Sequence, residues 1–242
     1  MEARRKDFHV VEMPLACRSC ETREGGICGA MTDGQLSELS RFTARRKVDH
    51  GSELLSQGER IVSYANIIKG VVKLTKRMSD GRQQIVGLQF APGFIGRPFA
   101  NDSALTAEAA TDIEICVVAK SALDRMVMRA PDLGHRLHSQ ALVELDDARD
   151  WMLTLGRKTA REKVASFLHL IATHSDGDSS GTLRFELPLS RQDIADFLGL
   201  TIETVSRQVT KLKQEKVIRI ETTRSVTIHD IDRLAEVAGI DY

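Results

Sequence analysis

Residues 189–212 of the chain read LSRQDIADFLGLTIETVSRQVTKL. Two short stretches of this segment carry apolar residues at helical spacing, and Gly199 separates them. Ser190 and Thr201 precede the two stretches, at the position where a side-chain oxygen caps the free N–H groups of a helix. A glycine that ends a helix adopts the left-handed conformation without a steric cost. The segment therefore predicts two short helices joined by a tight turn, which is the helix-turn-helix motif.

The exposed side of the second predicted helix carries polar residues suited to base recognition. Ser206 and Arg207 lie three and four positions after Glu203, so the three residues share the side opposite the apolar stripe. In a helix-turn-helix this side enters the major groove, where arginine bonds guanine and glutamate accepts from cytosine. The alternative is an ordinary amphipathic helix pair in which Glu203 and Arg207 only form an i,i+4 ion pair. The predicted contacts to double-stranded DNA are Ser190, Arg191, Thr201, Glu203, Ser206, Arg207 and Thr210.

The residues around this segment complete a small helical unit. A further helix is predicted from Thr159 to about Thr173, followed by a loop rich in aspartate, glycine and serine up to Gly181. After the second helix, two short β-type runs flank residues 221–224. This pattern predicts a hairpin wing.

A long helix is predicted upstream, beginning at Pro131. Its apolar residues recur at spacings of three and four over a stretch longer than a packed surface helix requires. Ala141 and Ala148 are small enough to let two helices approach closely, and three aspartates between positions 146 and 150 flank the stripe. We predict a homodimerisation helix; the alternative is that the stripe only covers a β-domain. The stripe consists of Leu137, Ala141, Leu145, Ala148, Met152 and Leu155.

Residues 47–118 have a different pattern, with short alternating apolar runs separated by glycines. Many short strands at close intervals are typical of a small all-β barrel or roll. Asp80-Gly81 between two such runs predicts a β-hairpin.

The four cysteines form a pattern of their own. Cys17, Cys20 and Cys28 lie in a short loop-rich segment, and Cys116 lies alone on a predicted strand. Thiolates suit zinc and iron–sulfur clusters alike, so the spacing alone does not choose between them. Cytoplasmic cysteines are rarely paired in disulfides, so a four-ligand site is the better explanation.

Composition excludes several classes of protein. The 34 basic and 34 acidic residues give no net charge, which leaves DNA binding to a local basic surface. No apolar run approaches the roughly 20 residues of a membrane helix, and the charged start of the chain predicts no signal peptide. The expected location is therefore cytoplasmic, without membrane contact. No phosphate loop, nucleophile constellation or carboxylate pair indicates an enzyme.

Together, these features resemble the Crp/Fnr superfamily of bacterial transcription regulators. Residues 198–207, LGLTIETVSR, are similar to the Fnr branch, whose recognition signature Glu-x-x-Ser-Arg is filled by Glu203, Ser206 and Arg207. The resemblance runs from about Cys17 to Tyr242. It implies an α+β chain with an N-terminal cyclic-nucleotide-binding-like β-roll, a long dimerisation helix and a C-terminal winged helix-turn-helix. We place a cysteine-rich cluster-binding segment at 1–33, the β-roll at 34–129, the dimerisation helix at 130–157 and the DNA-binding domain at 158–242.

The resemblance also implies a cofactor. Oxygen-sensing Fnr proteins hold a [4Fe–4S] cluster with three N-terminal cysteines and one in the β-roll, and Cys17, Cys20, Cys28 and Cys116 match them in order and position. One [4Fe–4S] cluster per subunit is implied, with a zinc site as the alternative. Seven residues separate Cys20 from Cys28, which is longer than in the best-known member and similar to an alphaproteobacterial Fnr-type subgroup.

The implied function is an oxygen-responsive regulator of anaerobic or microaerobic genes. Fnr-type homodimers bind TTGAT-N4-ATCAA-like inverted repeats and activate by contacting RNA polymerase, for which the hairpin at residues 78–83 is one expected surface. The cyclic-nucleotide branch has a Gly-Glu pair and an arginine in its phosphate-binding cassette. Here Arg97 follows Gly96, and Leu105 stands near the expected arginine. No cyclic nucleotide is therefore expected; a Crp-like regulator that senses another small ligand is the alternative.

Overall fold

The structure is a computed structural model that describes residues 13–175 and 182–240. The start of the predicted cysteine segment and most of the predicted loop after Thr173 lie outside these ranges. Within them, no helix is long and apolar enough to cross a membrane.

The N-terminal part consists of short helices. Helix α1 (Leu15–Arg18) is followed by a 3-10 helix (Ile27–Ala30) and by α2 (Asp33–Ser40). Thr32 and Gln35 form a reciprocal capping box at the start of α2, which satisfies two N–H groups that would otherwise lack partners.

A β-roll follows, with two four-stranded sheets ordered β1-β8-β3-β6 and β2-β7-β4-β5. All pairs of neighbouring strands are antiparallel. The hairpin predicted at Asp80-Gly81 is confirmed, because it joins β4 to β5. The strands are β1 (Thr43–Val48), β2 (Glu53–Leu55), β3 (Ser63–Lys69), β4 (Val71–Arg77), β5 (Gln83–Phe90), β6 (Gly93–Ile95), β7 (Thr106–Ala109) and β8 (Ile113–Ala119).

Helix α3 (Lys120–Arg129) leads into the long helix α4 (Pro131–Arg157). The two ends of the predicted stripe, Leu137 and Leu155, are half-buried, and the four residues between them are exposed. Leu142, Val143 and Leu153, which the sequence analysis did not include, are exposed as well. The middle of α4 touches the β-roll where Gln89 Nε2 donates to Glu144 Oε1 at 3.1 Å, but most of its apolar side chains remain exposed to solvent.

The C-terminal part is a winged helix-turn-helix. Its helices are α5 (Ala160–Thr173), α6 (Arg191–Leu198), α7 (Ile202–Gln214) and α8 (Ile231–Ala238). The predicted wing, β10 (Arg219–Ile220) and β11 (Ser225–Ile228), is joined by a third strand, β9 (Leu183–Glu186), which the sequence analysis missed. The strands and helices share one apolar core that includes Phe167, Leu198 and Leu212.

The DNA-binding domain packs against the β4–β5 sheet of the roll. Lys73 Nζ lies 2.9 Å from Glu108 Oε1 and 2.9 Å from Asp193 Oδ1. Gln84 Nε2 donates to the Phe197 carbonyl oxygen at 2.9 Å. The apolar core of the DNA-binding domain extends across this contact to β5, so α6 is held at both its start and its end.

Removal of the lysine tests this contact. Lys73→Met leaves the carboxylates of Glu108 and Asp193 in a half-buried site without their cation. We expect the free energy of unfolding, measured by urea denaturation, to fall by about 1–3 kcal/mol. Lys69→Met, which removes an exposed lysine at the end of β3, is the matched control. Equal effects of the two substitutions would contradict the assignment.

The pH dependence of the same bridge has a definite sign. Burial alone would lower the pKa of Lys73, but its bonds to Asp193 and Glu108 outweigh burial and raise that pKa. Burial alone would raise the pKa of Asp193, but bonds from Ser190 and Lys73 lower it. The stabilisation is therefore present at neutral pH and is lost as the pH falls through the lowered pKa of Asp193 or rises through the raised pKa of Lys73.

Candidate metal centre and nucleic-acid interface

The four cysteines come from three places in the fold. Cys17 lies in α1 with Cys20 shortly after it, Cys28 lies in the 3-10 helix, and Cys116 lies in β8. All four are free thiols and half-buried. They border one cavity of about 290 Å³ between the N-terminal segment and the β1-β8-β3-β6 sheet. The structure thus brings together every cysteine that the sequence analysis assigned to one site.

Strand register explains which residues accompany Cys116. Its antiparallel partners are Arg45 on β1 and Asn66 on β3, and side chains at paired positions point to the same face of a sheet. Arg45 and Asn66 accordingly border the cavity. Neither residue was predicted, because strand pairing is not visible in the amino-acid sequence.

The surroundings of the cysteines favour the neutral thiol over the thiolate when no cation is present. Burial, and to a smaller extent the charges of the three other cysteines, raise the pKa of Cys28 to about 12. Burial also raises the pKa of Cys17 and that of Cys116. Three thiols with raised pKa values become thiolates together only when a positively charged group compensates them, as metal binding does.

Two polar groups at the cavity have no hydrogen-bond partner among the described residues. Arg23 Nε and Asn66 Oδ1 are buried and unpaired, although nearly all buried polar groups in proteins are hydrogen-bonded. Arg23 Nε is a donor, for which thiolate or sulfide sulfur is a suitable acceptor. The cavity therefore has hydrogen-bonding capacity that an occupant would satisfy.

The four cysteine side chains border a cavity and do not converge on a single metal position. Within residues 13–175 and 182–240, no three histidine, cysteine or acidic side chains are grouped so as to hold a single metal ion. Four cysteines that border one cavity are a donor set that suits an iron–sulfur cluster or a zinc ion.

The loop between Cys20 and Cys28 lies close to the turn that joins β5 to β6. A Cβ atom on Gly25 would lie 2.7 Å from Pro92 Cγ, and one on Gly29 would lie 2.6 Å from the Glu24 carbonyl oxygen. A larger residue at position 25 would push the loop away from the sheet, and one at position 29 would collide with the backbone of the loop itself. The two glycines thereby allow the cysteine segment to close over the cavity.

A second cavity, of about 460 Å³, lies between the β-roll and α4. Gly96 and Leu105, which the sequence analysis compared with the phosphate-binding cassette, both border it. The walls are largely apolar, and Arg97 is the cation among the described residues that line them. Gly96 has a φ of +149° and lies against the ring of the buried Tyr64, so a side chain at this position would collide with that ring.

The candidate DNA-reading surface is helix α7. Val205, Val209 and Leu212 are buried, whereas Glu203 and Arg207 are exposed on the opposite side. The described residues contain no ion pair between Glu203 and Arg207, so the alternative of a merely supporting pair gains no support from the structure. Ser206 and Thr210 are exposed on the same side.

The other predicted DNA contacts have local structural roles. The Ser190 hydroxyl accepts from the Asp193 N–H at 3.1 Å, and the Thr201 hydroxyl accepts from the Thr204 N–H at 3.2 Å. These bonds confirm both residues as N-caps, and Gly199 has the predicted left-handed conformation with a φ of +61°. Arg191 is half-buried, and its Nη1 has no partner among the described residues.

Two family models match this chain. The cyclic nucleotide-binding domain matches residues 45–130, and the Crp-like helix-turn-helix domain matches residues 162–237. The matches coincide with the β-roll and with the winged helix-turn-helix.

Full-length relatives share both parts. The chain is 57% identical over 234 residues to a probable transcriptional activator of Rhizobium leguminosarum bv. viciae, covering 97% of this chain and 98% of the relative. It is 40% identical over 229 residues to the transcriptional activator protein FnrL of Cereibacter sphaeroides, covering 93% of this chain and 92% of the relative. The structure of FixK2 from Bradyrhizobium japonicum matches with a TM-score of 0.74 and 30% identity, over 81% of this chain and 96% of the other. The chain therefore belongs to the Crp/Fnr family of transcriptional activators, and it is a DNA-binding regulator rather than an enzyme.

Proposed function

We propose that the protein is an oxygen-responsive transcription regulator that holds one [4Fe–4S] cluster per subunit on Cys17, Cys20, Cys28 and Cys116. The convergence of these four cysteines on one cavity carries the proposal. The similarity to FnrL supports it. When bound, such a cluster supplies redox-active iron that oxygen attacks. The chain supplies the ligands, and Cys116 connects the N-terminal segment to the β-roll.

While the cluster is intact, the protein forms a homodimer that binds TTGAT-N4-ATCAA-like repeats. The exposed apolar residues in the middle of α4 offer the pairing surface. A twofold axis along α4 would place two α7 helices on successive half-sites of DNA. Glu203, Ser206 and Arg207 then contact the bases, and each subunit alone binds too weakly to occupy the operator.

Three aspartates oppose pairing. Asp146, Asp147 and Asp150 lie beside the apolar surface of α4, all of them exposed. Burial raises the pKa of Asp147, His174 lowers it, and both Asp150 and Asp146 raise it. Arg149 Nη1 lies 2.9 Å from Asp146 Oδ1 and offsets that charge. Asp147 and Asp150 repel each other within one chain and would face a second such pair across a twofold axis. Without the cluster, this repulsion favours the monomer.

Activation requires contact with RNA polymerase, for which we propose the β4–β5 hairpin. Met78, at the tip, is 53% exposed. Gln83 Nε2 donates to Asp196 Oδ2 at 3.0 Å. The hairpin therefore lies beside α6, within reach of a polymerase bound next to the operator.

Anaerobic purification tests the cofactor. We expect brown protein with roughly four iron atoms per subunit, which bleaches in air and then loses operator binding. Cys116→Ser should abolish iron uptake, because it removes the ligand contributed by the β-roll. Ser19→Ala, which removes an exposed hydroxyl between two of the ligands, should retain it. Colourless protein with one zinc per chain would refute the sensor proposal and leave the DNA-binding assignment intact.

Base recognition is tested at Arg207. Arg207→Ala should reduce discrimination at one guanine of each half-site by about 5- to 150-fold, because a bidentate base contact contributes roughly 1–3 kcal/mol. Competition binding with operator variants measures this. Lys213→Ala, near the other end of α7, should change affinity equally for all sequences. Unchanged discrimination in Arg207→Ala would contradict the assigned contact.

Pairing is tested on α4. Leu145→Glu places a charge in the exposed apolar surface and should give a monomer that still takes up iron but no longer binds the operator. Met128→Glu, at a residue that is 79% exposed on α3, is the control and should remain a dimer. Sedimentation equilibrium under anaerobic conditions measures both, and a dimeric Leu145→Glu protein would place the interface elsewhere.

A further inference from the structure

The loop between Cys20 and Cys28 touches helix α4 directly. Arg136 Nη2 donates to the Gly25 carbonyl oxygen and lies 3.4 Å from the carbonyl oxygen of Glu24. Arg136 belongs to the second turn of α4, five residues before the exposed apolar surface begins at Ala141. The contact therefore joins the proposed cluster site to the proposed dimerisation helix.

A second, apolar contact runs parallel to this one. Ile27, next to Cys28, is completely buried, and so is Leu133 in the first turn of α4. Both belong to one apolar cluster, with Cys28 and Leu137 packed at its edge. The cluster fixes where the loop lies, and the hydrogen bonds from Arg136 fix how its backbone is turned.

The position of the loop leaves little room for independent movement. Gly25 lies against Pro92 so closely that a Cβ atom would collide with it. Its carbonyl oxygen nevertheless points to α4 and accepts from Arg136. Any rearrangement that moves Cys20 or Cys28 must therefore move the acceptors of Arg136 as well.

Arg136 also has a hydrogen-bond donor that these contacts leave unused. Its Nε is buried without a hydrogen-bond partner among the described residues. Within residues 13–175 and 182–240, the guanidinium group is held by two backbone carbonyl oxygens and by no carboxylate. Such a side chain has no strong competing partner that would retain it if the loop shifted.

We propose that Arg136 transmits the state of the cysteine site to α4 by holding the Glu24 and Gly25 carbonyl oxygens when the four ligands are engaged. The inference rests on the proposed function. With the ligands engaged, the bonds stabilise the start of α4 in the orientation that pairs. With the ligands released, the loop moves, the bonds break and α4 loses this support. Arg136 is thus a positioning residue that contacts neither the proposed cluster nor DNA.

The interval between Cys20 and Cys28 bears on the role of Arg136. The interval from Cys20 to Cys28 contains seven residues, and Glu24 and Gly25 lie in its middle. The middle of this interval therefore provides the backbone acceptors that contact α4.

The experiment compares wild-type protein, Arg136→Gln and Arg136→Lys, each with and without iron. Iron and sulfide content and visible absorbance report whether the site is filled, and sedimentation equilibrium gives the dimer dissociation constant. The readout is the ratio of this constant between the iron-free and iron-loaded forms, which measures the coupling between the two sites. Arg129→Gln, which alters an arginine on α3 that pairs with Glu38 instead, is the matched control.

In Arg136→Gln we expect unchanged iron content and a coupling ratio reduced about tenfold or more, because a charged donor to two carbonyl groups is lost. Arg136→Lys, which keeps a charged donor, should retain part of the coupling, and Arg129→Gln should retain all of it. A wild-type coupling ratio in iron-loaded Arg136→Gln would overturn the inference. Loss of iron from both Arg136 variants would also overturn it, because the arginine would then hold the site rather than transmit its state. A wild-type protein that binds no iron would refute the proposed function itself.

Discussion

Anchoring of helix α4 at both ends is the constraint on which the arrangement of the molecule depends. Leu133 buries the first turn against the β-roll. Near the other end, Thr154 is buried, and the Trp151 ring lies 4.5 Å from that of Phe197 in the DNA-binding domain. A helix of 27 residues is about 40 Å long, and most side chains in its middle remain exposed between these anchors. The exposed apolar surface results from the length of α4 and from these two anchors.

The contact between Lys73 and Asp193 has a related consequence. Asp193 also closes the capping box of α6 with Ser190, so one carboxylate both starts a helix of the DNA-binding domain and ties that domain to the roll. The orientation of α7 therefore depends on the roll as well as on α4. In the proposed mechanism, a rearrangement in the cysteine segment would reach the DNA-reading helix through a series of packed elements rather than through one hinge.

The helix-turn-helix was predictable because its signals are local. Ser190, Gly199 and Thr201 each act within four residues of their own position, and the buried faces of both helices follow from spacing alone. The cavity was less predictable, since Cys28 and Cys116 are distant in sequence and only strand pairing shows that Asn66 joins them. The family resemblance, rather than spacing, supplied that grouping. Strand β9 was missed because it is short and pairs only with the wing, and Arg136 resembled an ordinary surface residue of a helix.

The exposed apolar surface of α4 also bears on the shape of the response. When most of the protein is monomeric, the concentration of dimers varies with the square of the monomer concentration. Halving the number of competent subunits would then cut operator occupancy about fourfold at a weakly filled site. A family member that pairs in this way would turn a gradual loss of subunits able to pair into a steeper loss of transcription. The fraction of such subunits at which transcription stops would then depend on the total amount of the protein in the cell.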